Sequence, residues 1–512
     1  MTLKEETLPW PIATWIHRRA ECLGNPTAIV FEGEAISYAD FADRIDRLAQ
    51  GLKDHIGMGV GDRIAYLGHN HPDFLALLFA AAQLGGVVIP LNWRLALPEH
   101  EAILADCTPK AMLVQEPFAD KVDALSKSTM LPKKIALDFE RRGWCPLIDL
   151  LGERAQLNPI DEADQPVLIV YTSGTTGIAK GAVLTQSALY WNAVNSVDMH
   201  TLGREDRILT TLPLFHVGGL NIQTLPALAV GAEVCLEARF DPDGALQLIA
   251  RTKSTHTILV PTMMKALIDH PNFESVDLSS LRQITTGSSA VPSTLIQAFH
   301  DRGIPITQVY GTTETAPIAV YQRREDAFRT IGSAGKVAKH GEIRLVDDDG
   351  VVVGPDIPGH IQIRGPQVMT GYWRNPSADD DAFDGDWFRT GDIGRLDNDG
   401  NLQVEARADD LIKSGSERIY PAEIEDILRN ADEVDEVVVV GKTDPTWGEV
   451  PVAFAQPSKG AERNAVRLLQ RLDGRLARYK WPKEVHFVDA LPRSALGKVL
   501  RYRLRASLEQ KR

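Results

Sequence analysis

Three short runs of this 512-residue chain collect the residue types that handle phosphate and carboxylate. The first is Tyr171-Thr172-Ser173-Gly174-Thr175-Thr176-Gly177-Ile178-Ala179-Lys180-Gly181, which follows the apolar run Val167–Val170. Glycines let the backbone curl and bring N–H groups close to a ligand. The Ser and Thr hydroxyls add short donors, and Lys180 adds a positive charge on a flexible stem. A polyphosphate needs that combination. The run is not a Walker loop, because Lys180 is followed by Gly181 rather than a hydroxyl residue. A Gly/Ser/Thr-rich surface loop is the plainer reading of any such cluster, and it loses ground here because two further runs suit the same ligand.

The second run, Tyr310-Gly311-Thr312-Thr313-Glu314, follows a strand-like stretch, Ile306–Val309. A carboxylate just past two threonines at a strand end is well placed to hold Mg2+ against phosphate oxygens, and an aromatic at Tyr310 could stack on a purine. The third, Trp387-Phe-Arg-Thr-Gly-Asp392, ends in a carboxylate suited to the vicinal hydroxyls of a ribose. Near the C-terminus, Leu491-Pro-Arg-Ser-Ala-Leu-Gly-Lys498 presents a lysine from a glycine-containing loop. Each of these is weak alone. Thr-Glu is common in loops, Thr-Gly-Asp is usually a turn, and a lone lysine is usually a surface residue.

In this order, the motifs resemble those of the adenylate-forming superfamily: acyl-CoA synthetases, luciferases and the adenylation domains of peptide synthetases. The resemblance spans essentially the whole chain, including Leu91-Asn-Trp-Arg-Leu95 and Trp447-Gly-Glu449. It is read here toward the acyl-CoA synthetase, or fatty-acid–CoA ligase, branch. It implies that Thr172, Ser173, Gly174, Thr175, Thr176, Gly177 and Lys180 form the phosphate loop. Tyr310, Gly311, Thr312 and Thr313 would line the nucleotide, with Thr313 at the α-phosphate and Glu314 on magnesium. Asp392 would take the ribose hydroxyls, with Arg407 on the same sugar. Asp409, in the run that starts at Ala406, would be the hinge about which a small domain turns. Lys498 would bridge the carboxylate and the α-phosphate. The catalytic set is then Lys498, Glu314, Lys180 and His216.

The same resemblance implies an acid pocket. Leu212-Pro-Leu-Phe-His216-Val-Gly218-Gly219-Leu220 would border it, with His216 near the carboxylate and the two glycines leaving room for the acid. Gly287 and Ser288 would form another wall and approach the adenine, and Thr312 would touch the substrate. As a plainer reading, a histidine beside an apolar run is often a satisfied core residue. The chain departs from the family pattern at Ala179 (usually Pro), Ala406 (Gly), Ser416 (the second Gly of a pair) and Arg418 (frequently Asn). Ser416 bears on how CoA is held.

The implied activity is an ATP-, Mg2+- and CoA-dependent acyl-CoA synthetase, an AMP-forming acid–thiol ligase. Its expected acid is a medium- or long-chain fatty acid, and an aryl acid such as benzoate, cinnamate or succinylbenzoate is the alternative. A stand-alone acyl-AMP ligase that loads a carrier protein is a further alternative. A nucleotide-binding regulator without catalysis is disfavoured by the presence of Glu314, Asp392 and Lys498.

The elements that must position these residues follow from hydrophobic pattern. Phe41, Ile45, Leu48 and Leu52 recur at helical spacing, Ile64–Leu67 reads as a strand, Pro72–Leu84 as a helix and Gly85–Pro90 as the next strand. A second set runs from Val167 to Val309, with helices at Ser187–Val194 and Ala245–Arg251 and a strand at Thr257–Val260. The β-α-β rhythm predicts an α/β fold with mostly parallel sheets in layered subdomains. After about Gly332, short runs such as Glu342–Val346, Val351–Val353 and His360–Arg364, split by turn signals, predict an antiparallel sheet or small barrel. Asp379-Asp-Asp381 reads as a solvated loop. Helices at Glu423–Asn430 and Ala465–Leu476, with a strand at Val437–Val440, predict a small α+β C-terminal domain. The domains expected are 1–408 and 409–512.

Composition bounds the rest. A net charge of −14 argues against nucleic acid as a partner. Cys22, Cys107, Cys145 and Cys235 show neither a zinc nor a disulfide spacing, which fits a reducing, cytoplasmic setting. Phe74–Ala82, the longest purely apolar run, is far short of the ~20 residues that cross a bilayer, so no stable membrane insertion is expected. The basic stretch Arg475–Lys480 reads as a solvated helix face. The partners expected are a carboxylic acid, ATP and CoA, with a homodimer left open.

Overall fold

The computed structural model describes residues 8–125, 132–154, 159–173, 179–287, 291–414, 417–445, 447–473, 475–476, 478–493 and 499–509. The chain divides into two compact units, Met1–Glu342 with Ile363–Phe388, and Ile343–Gln362 with Arg389–Arg512.

Two sheets organise the first unit. One has eight strands, in the order Gly371–Tyr372, Ala179–Thr185, Pro166–Ser173, Val87–Pro90, Arg63–Leu67, Ala111–Val114, Lys133–Ala136 and Cys145–Pro146. Its centre is parallel. The other has nine strands, and its middle, Ile306–Tyr310, Gln283–Gly287, His256–Ile258, Arg207–Thr210 and Glu233–Leu236, is parallel throughout. Parallel strands need crossover helices, and these supply the layers.

The helices form where the periodicity places them. Tyr38–Gly51 starts with Ser37 accepting a hydrogen bond from the Asp40 amide and buries Phe41, Ile45 and Leu48 on one face. Pro72–Gln83 is buried nearly all round. The longest apolar run is therefore the inside of the largest core, where Phe74 and Phe79 lie with Trp15 and Phe41. Gln186–His200 is capped by Thr185, and Pro242–Thr252 by Asp241. Among the described residues, no helix is long and apolar enough to cross a membrane.

The strands Glu342–Val346, Gly359–Arg364, Trp387–Leu396 and Leu402–Arg407 lie side by side in that order, and most of their residues belong to the second unit. A further sheet is ordered Glu417–Ile419, Ile412–Ser414, Gly448–Pro457 and Val434–Asp444, with Glu484–Phe487 parallel to Gly448–Pro457. The helix Pro421–Arg429 packs Ile424 and Leu428 into its core. At its base is a buried ion network. Arg501 gives two hydrogen bonds to Glu425, at 2.6 and 3.0 Å, and lies 3.4 Å from Asp410, while Arg429 adds a bond to Glu425 at 2.7 Å.

Several local expectations are corrected. Asp379–Asp381 belongs to the helix Pro376–Ala382, which Asn375 caps, and Asp379 accepts the Tyr372 amide at 2.7 Å. Val351–Val353 forms no strand of its own but an isolated bridge, Val346 to Val352, with Val351 and Val352 exposed. The helix expected at Ala465–Leu476 ends at Gln470, shortly before the turn-forming pair Asp473-Gly474 of the sequence. Of the basic stretch, Arg478–Lys480 forms a short 3-10 turn with no buried residue, and its cations are partnered. Arg478 stacks 3.8 Å over Trp481, and Lys480 pairs with Glu423.

Candidate active site

Parallel strands of the nine-stranded sheet deliver the second motif at their C-terminal ends, where α/β sheets bind ligands. Ile306–Tyr310 pairs with Gln283–Gly287 in a register that sets Val309 opposite Gly287. Tyr310 is half-buried at the strand end. Gly311 follows because nothing larger fits: a Cβ there would lie 1.7 Å from the Pro317 carbonyl oxygen. The chain then turns through Thr313–Thr315, with the Thr312 amide bonded to the Thr315 hydroxyl at 2.9 Å. The Thr312 hydroxyl is buried and has no partner among the described residues.

Glu314 is buried, 8% exposed, and accepts a hydrogen bond from the Tyr372 hydroxyl at 2.9 Å. Tyr372 sits on the edge strand Gly371–Tyr372, paired with Ala182, and its ring lies 5.2 Å from the Lys180 ammonium. The structure thus joins Lys180 and Glu314, residues of two separate motifs, through a tyrosine that sequence reasoning missed. The signal was available: Gly371-Tyr-Trp-Arg374 carries aromatics and a cation directly after a turn.

Lys180 lies on Ala179–Thr185, which pairs antiparallel with Pro166–Ser173 and places Thr172 opposite Lys180. The Thr172 hydroxyl donates to the Lys180 carbonyl at 3.4 Å. Gly174, Thr175, Thr176, Gly177, Ser288 and Lys498 lie outside the described residues, as do the side chains of Ser173 and Asp409.

In the second unit, Asp392 and Arg407 face each other across paired strands, with Arg407 Nε 3.2 Å from the Asp392 carboxylate and Nη1 on the Thr390 carbonyl at 2.8 Å. Within the strand, Gly391 directly before Asp392 has a φ of +73°, a conformation that favours glycine. The backbone of Asp409 lies in the short turn Ala408–Asp410 between two sheets of that unit.

His216 stands at the start of the turn Val217–Gly219 and is half-buried, with its ring set against the protein interior. Burial, then the nearby Arg94 charge, push its pKa down to about 3, so the imidazole is neutral at working pH. Its Nε2 is buried without a partner among the described residues. This is not the satisfied core histidine of the plainer reading. Phe215 packs against it with ring centroids 4.3 Å apart; Trp93 lies 6.5 Å from Phe215, and His69 and Phe118 lie against Trp93. Arg94 stacks over Trp93 at 4.3 Å. Gly218 faces open space, whereas the missing Cβ of Gly219 is already accounted for by the Pro213 carbonyl 2.4 Å away.

Against known proteins, the model described as AMP-binding enzyme matches residues 16–373, and that of the AMP-binding enzyme C-terminal domain matches residues 423–498. The chain belongs to the AMP-binding enzyme family. The enzyme is 49% identical to an indoleacetate–CoA ligase of Aromatoleum aromaticum, over 95% of this chain and 96% of that one. It is 39% identical to a feruloyl-CoA synthase of a Streptomyces species, over 96% and 98%. Among solved structures it superposes on a Mycobacterium tuberculosis fatty acyl CoA synthetase with a TM-score of 0.79 at 32% identity, covering 98% and 99% of the two chains. The α/β architecture, with a large N-terminal and a small C-terminal domain, is that of this family.

Proposed function

We propose that this acid–thiol ligase activates an aryl acid, of the arylacetic or arylalkenoic type, and joins it to CoA at the expense of ATP. The aromatic cluster that Phe215 joins to His216 carries the reading, because Phe215, Trp93 and Phe118 are the ring types suited to pack against a flat aromatic acid. The 49% identity to an indoleacetate–CoA ligase points the same way. This moves the expectation from fatty acids, which stand second on the strength of the fatty acyl CoA synthetase likeness.

In the first half-reaction, a carboxylate oxygen of the acid attacks the α-phosphorus of ATP and the bond to the β-phosphate oxygen breaks, releasing pyrophosphate. The obstacle is crowded negative charge, and the remedy is fixed positive charge and oriented donors. Lys180, with the loop amides of 174–177, is assigned to the outer phosphates. Thr313 is assigned to the α-phosphate, with the Thr312 hydroxyl beside it. Asp392 and Arg407 are assigned to the ribose, and Lys498 to the acid and the α-phosphate. Neutral His216 can share a hydrogen bond with the acid without trapping it as an ion pair. The thiol of CoA then attacks the acyl carbon, and AMP leaves with the bonding pair. Asp409 is the proposed pivot between the two half-reactions, which separates a site shielded from water from one open to a long thiol. The corresponding domains are 1–408 and 409–512.

Magnesium fits Glu314. The described residues hold no group of three or more His, Cys, Asp or Glu that could cage a metal. A single carboxylate oriented by Tyr372 suits an ion that keeps its waters and leans on substrate phosphates. When bound, Mg2+ would neutralise phosphate charge.

AMP release with Mg-ATP and CoA, measured across indole-3-acetate, phenylacetate, cinnamate, benzoate, octanoate and palmitate, tests the proposal. An aryl acid is expected to exceed both fatty acids in kcat/KM by about tenfold or more. Preference for octanoate or palmitate would overturn it, and pyrophosphate release indifferent to CoA would move the enzyme to carrier loading.

A further inference from the structure

Behind the segment Leu212–Gly219 lies a small cavity whose lining includes Thr210, Thr211, Leu212, Gly219, Gln223 and Ile258, with room for about one water molecule. Gln223 belongs to the π-helical turn Leu220–Thr224, a geometry frequent at functional sites, and is 1% exposed.

The orientation of its amide follows from a chain of buried hydrogen bonds. His200 Nδ1 lies 2.9 Å from the Ser196 carbonyl, which can only accept, so Nδ1 carries the hydrogen. Burial holds the His200 pKa down to about 3. The ring is therefore neutral and its Nε2 is an acceptor. The Thr285 hydroxyl, 2.9 Å from Nε2, must donate to it. Thr285 then has only acceptor capacity left for Gln223, so the group it meets at 3.3 Å is the amide N–H. That leaves the Gln223 carbonyl oxygen as the opposite end. It is buried and has no partner among the described residues, and the Thr211 hydroxyl is in the same position. A buried acceptor left open is costly unless a water or a ligand supplies the donor.

We propose that Gln223 Oε1 reads a hydrogen-bond donor on the ring of the acid, an N–H or O–H, and that Gln223 is thereby a specificity-determining residue. The inference rests on the aryl-acid reading above. Seven residues of largely helical chain separate His216 from Gln223, which at the helical rise is about 10 Å. An arylacetic acid with one hydrogen bond at its carboxylate and one at its ring spans about that distance. An aliphatic tail has no donor to offer, and a site built to bond N–H discriminates against an analogue that lacks it.

The test compares kcat/KM for indole-3-acetate and 1-benzothiophene-3-acetate, which share a shape but differ in having N–H or sulfur at the ring position. The wild-type enzyme is expected to favour the indole acid by about tenfold or more. Gln223→Met, which keeps the volume and removes the acceptor, is expected to bring the ratio near one, whatever its absolute rate. Equal use of the two acids by the wild-type enzyme would overturn the inference and leave the cavity a water site only, as would a ratio that survives in the variant. Should Gln223→Met fail to fold, Gln223→Leu is read in the same way, and equal use of the two acids by the wild-type enzyme overturns the inference without any variant. If both aryl acids are refused while fatty acids are used, the aryl reading fails and this inference falls with it. If both are used without discrimination, the aryl reading stands and this inference alone is lost.

Discussion

The Tyr372 hydroxyl donates to Glu314 Oε1 across 2.9 Å, although 58 residues separate the two in sequence. The bond orients the one carboxylate of the Tyr310–Glu314 motif, and the same ring carries the Lys180 ammonium at its face. Tyr372→Phe keeps the ring and removes the bond. ATP–pyrophosphate exchange is expected to fall about tenfold, with a higher Mg2+ requirement, since a hydrogen bond to a charged group is worth about 1.5–3 kcal/mol. Exchange and Mg2+ dependence equal to wild type would show that Glu314 needs no such support.

His216, His200 and His256 are held, by burial first, at about 3, 3 and 4, against 6.5 for an ordinary histidine. In the window between those values the unfolded chain binds protons that the folded chain refuses. Stability is therefore full above pH 6.5 and is lost as pH falls toward 4, at up to about 1.4 kcal/mol per pH unit for each histidine. Urea unfolding midpoints from pH 7.5 to 4.5 measure this slope. His216→Asn should reduce it by one proton's share, and an unchanged slope would contradict the burial.

Glu425 is 2% exposed. Burial alone would raise its pKa, but the charges and hydrogen bonds of Arg501 and Arg429 outweigh it and hold the carboxyl below its ordinary value. Arg501→Met takes from the buried Glu425 carboxylate the arginine that gives it two hydrogen bonds, and Glu425→Gln removes the charge that Arg501 and Arg429 share. Arg501→Met or Glu425→Gln is expected to destabilise the second unit by about 3–5 kcal/mol. Hydrogen exchange in Val434–Asp444 reads the loss locally, because Glu425 also accepts the Val439 amide at 2.7 Å. Protection unchanged in both variants would refute the estimate.

Asp409→Pro restricts the backbone at the proposed pivot. Thioester formation should fall much further than pyrophosphate exchange. Equal losses in the two half-reactions would count against Asp409 as a hinge.

Much of the candidate site was legible in the chain because the motifs are local. Tyr310–Glu314 announces a strand end, a tight glycine and a carboxylate within five residues, and the fold keeps them in that relation. Asp392 and Arg407 were assigned to one sugar from motifs alone, and paired strands do set them opposite each other. The helices at Tyr38–Gly51 and Gln186–His200 followed from periodicity and caps. Asp379–Asp381 was misread as a loop because an acidic run carries no apolar periodicity: Asp380 and Asp381 are solvated as expected, but Asn375 starts a helix there and the Tyr372 amide occupies Asp379.

By itself, the order of residues determined the α/β class, the family and the local motifs, since each depends on neighbours a few positions apart. Tertiary structure alone decided that Tyr372 serves Glu314, that Arg94 helps keep His216 neutral, and that Gln223 turns an open carbonyl away from Thr285. Those relations depend on burial and on strand order in the sheets, where residues far apart in the chain become neighbours. No periodicity or spacing along the sequence encodes that proximity.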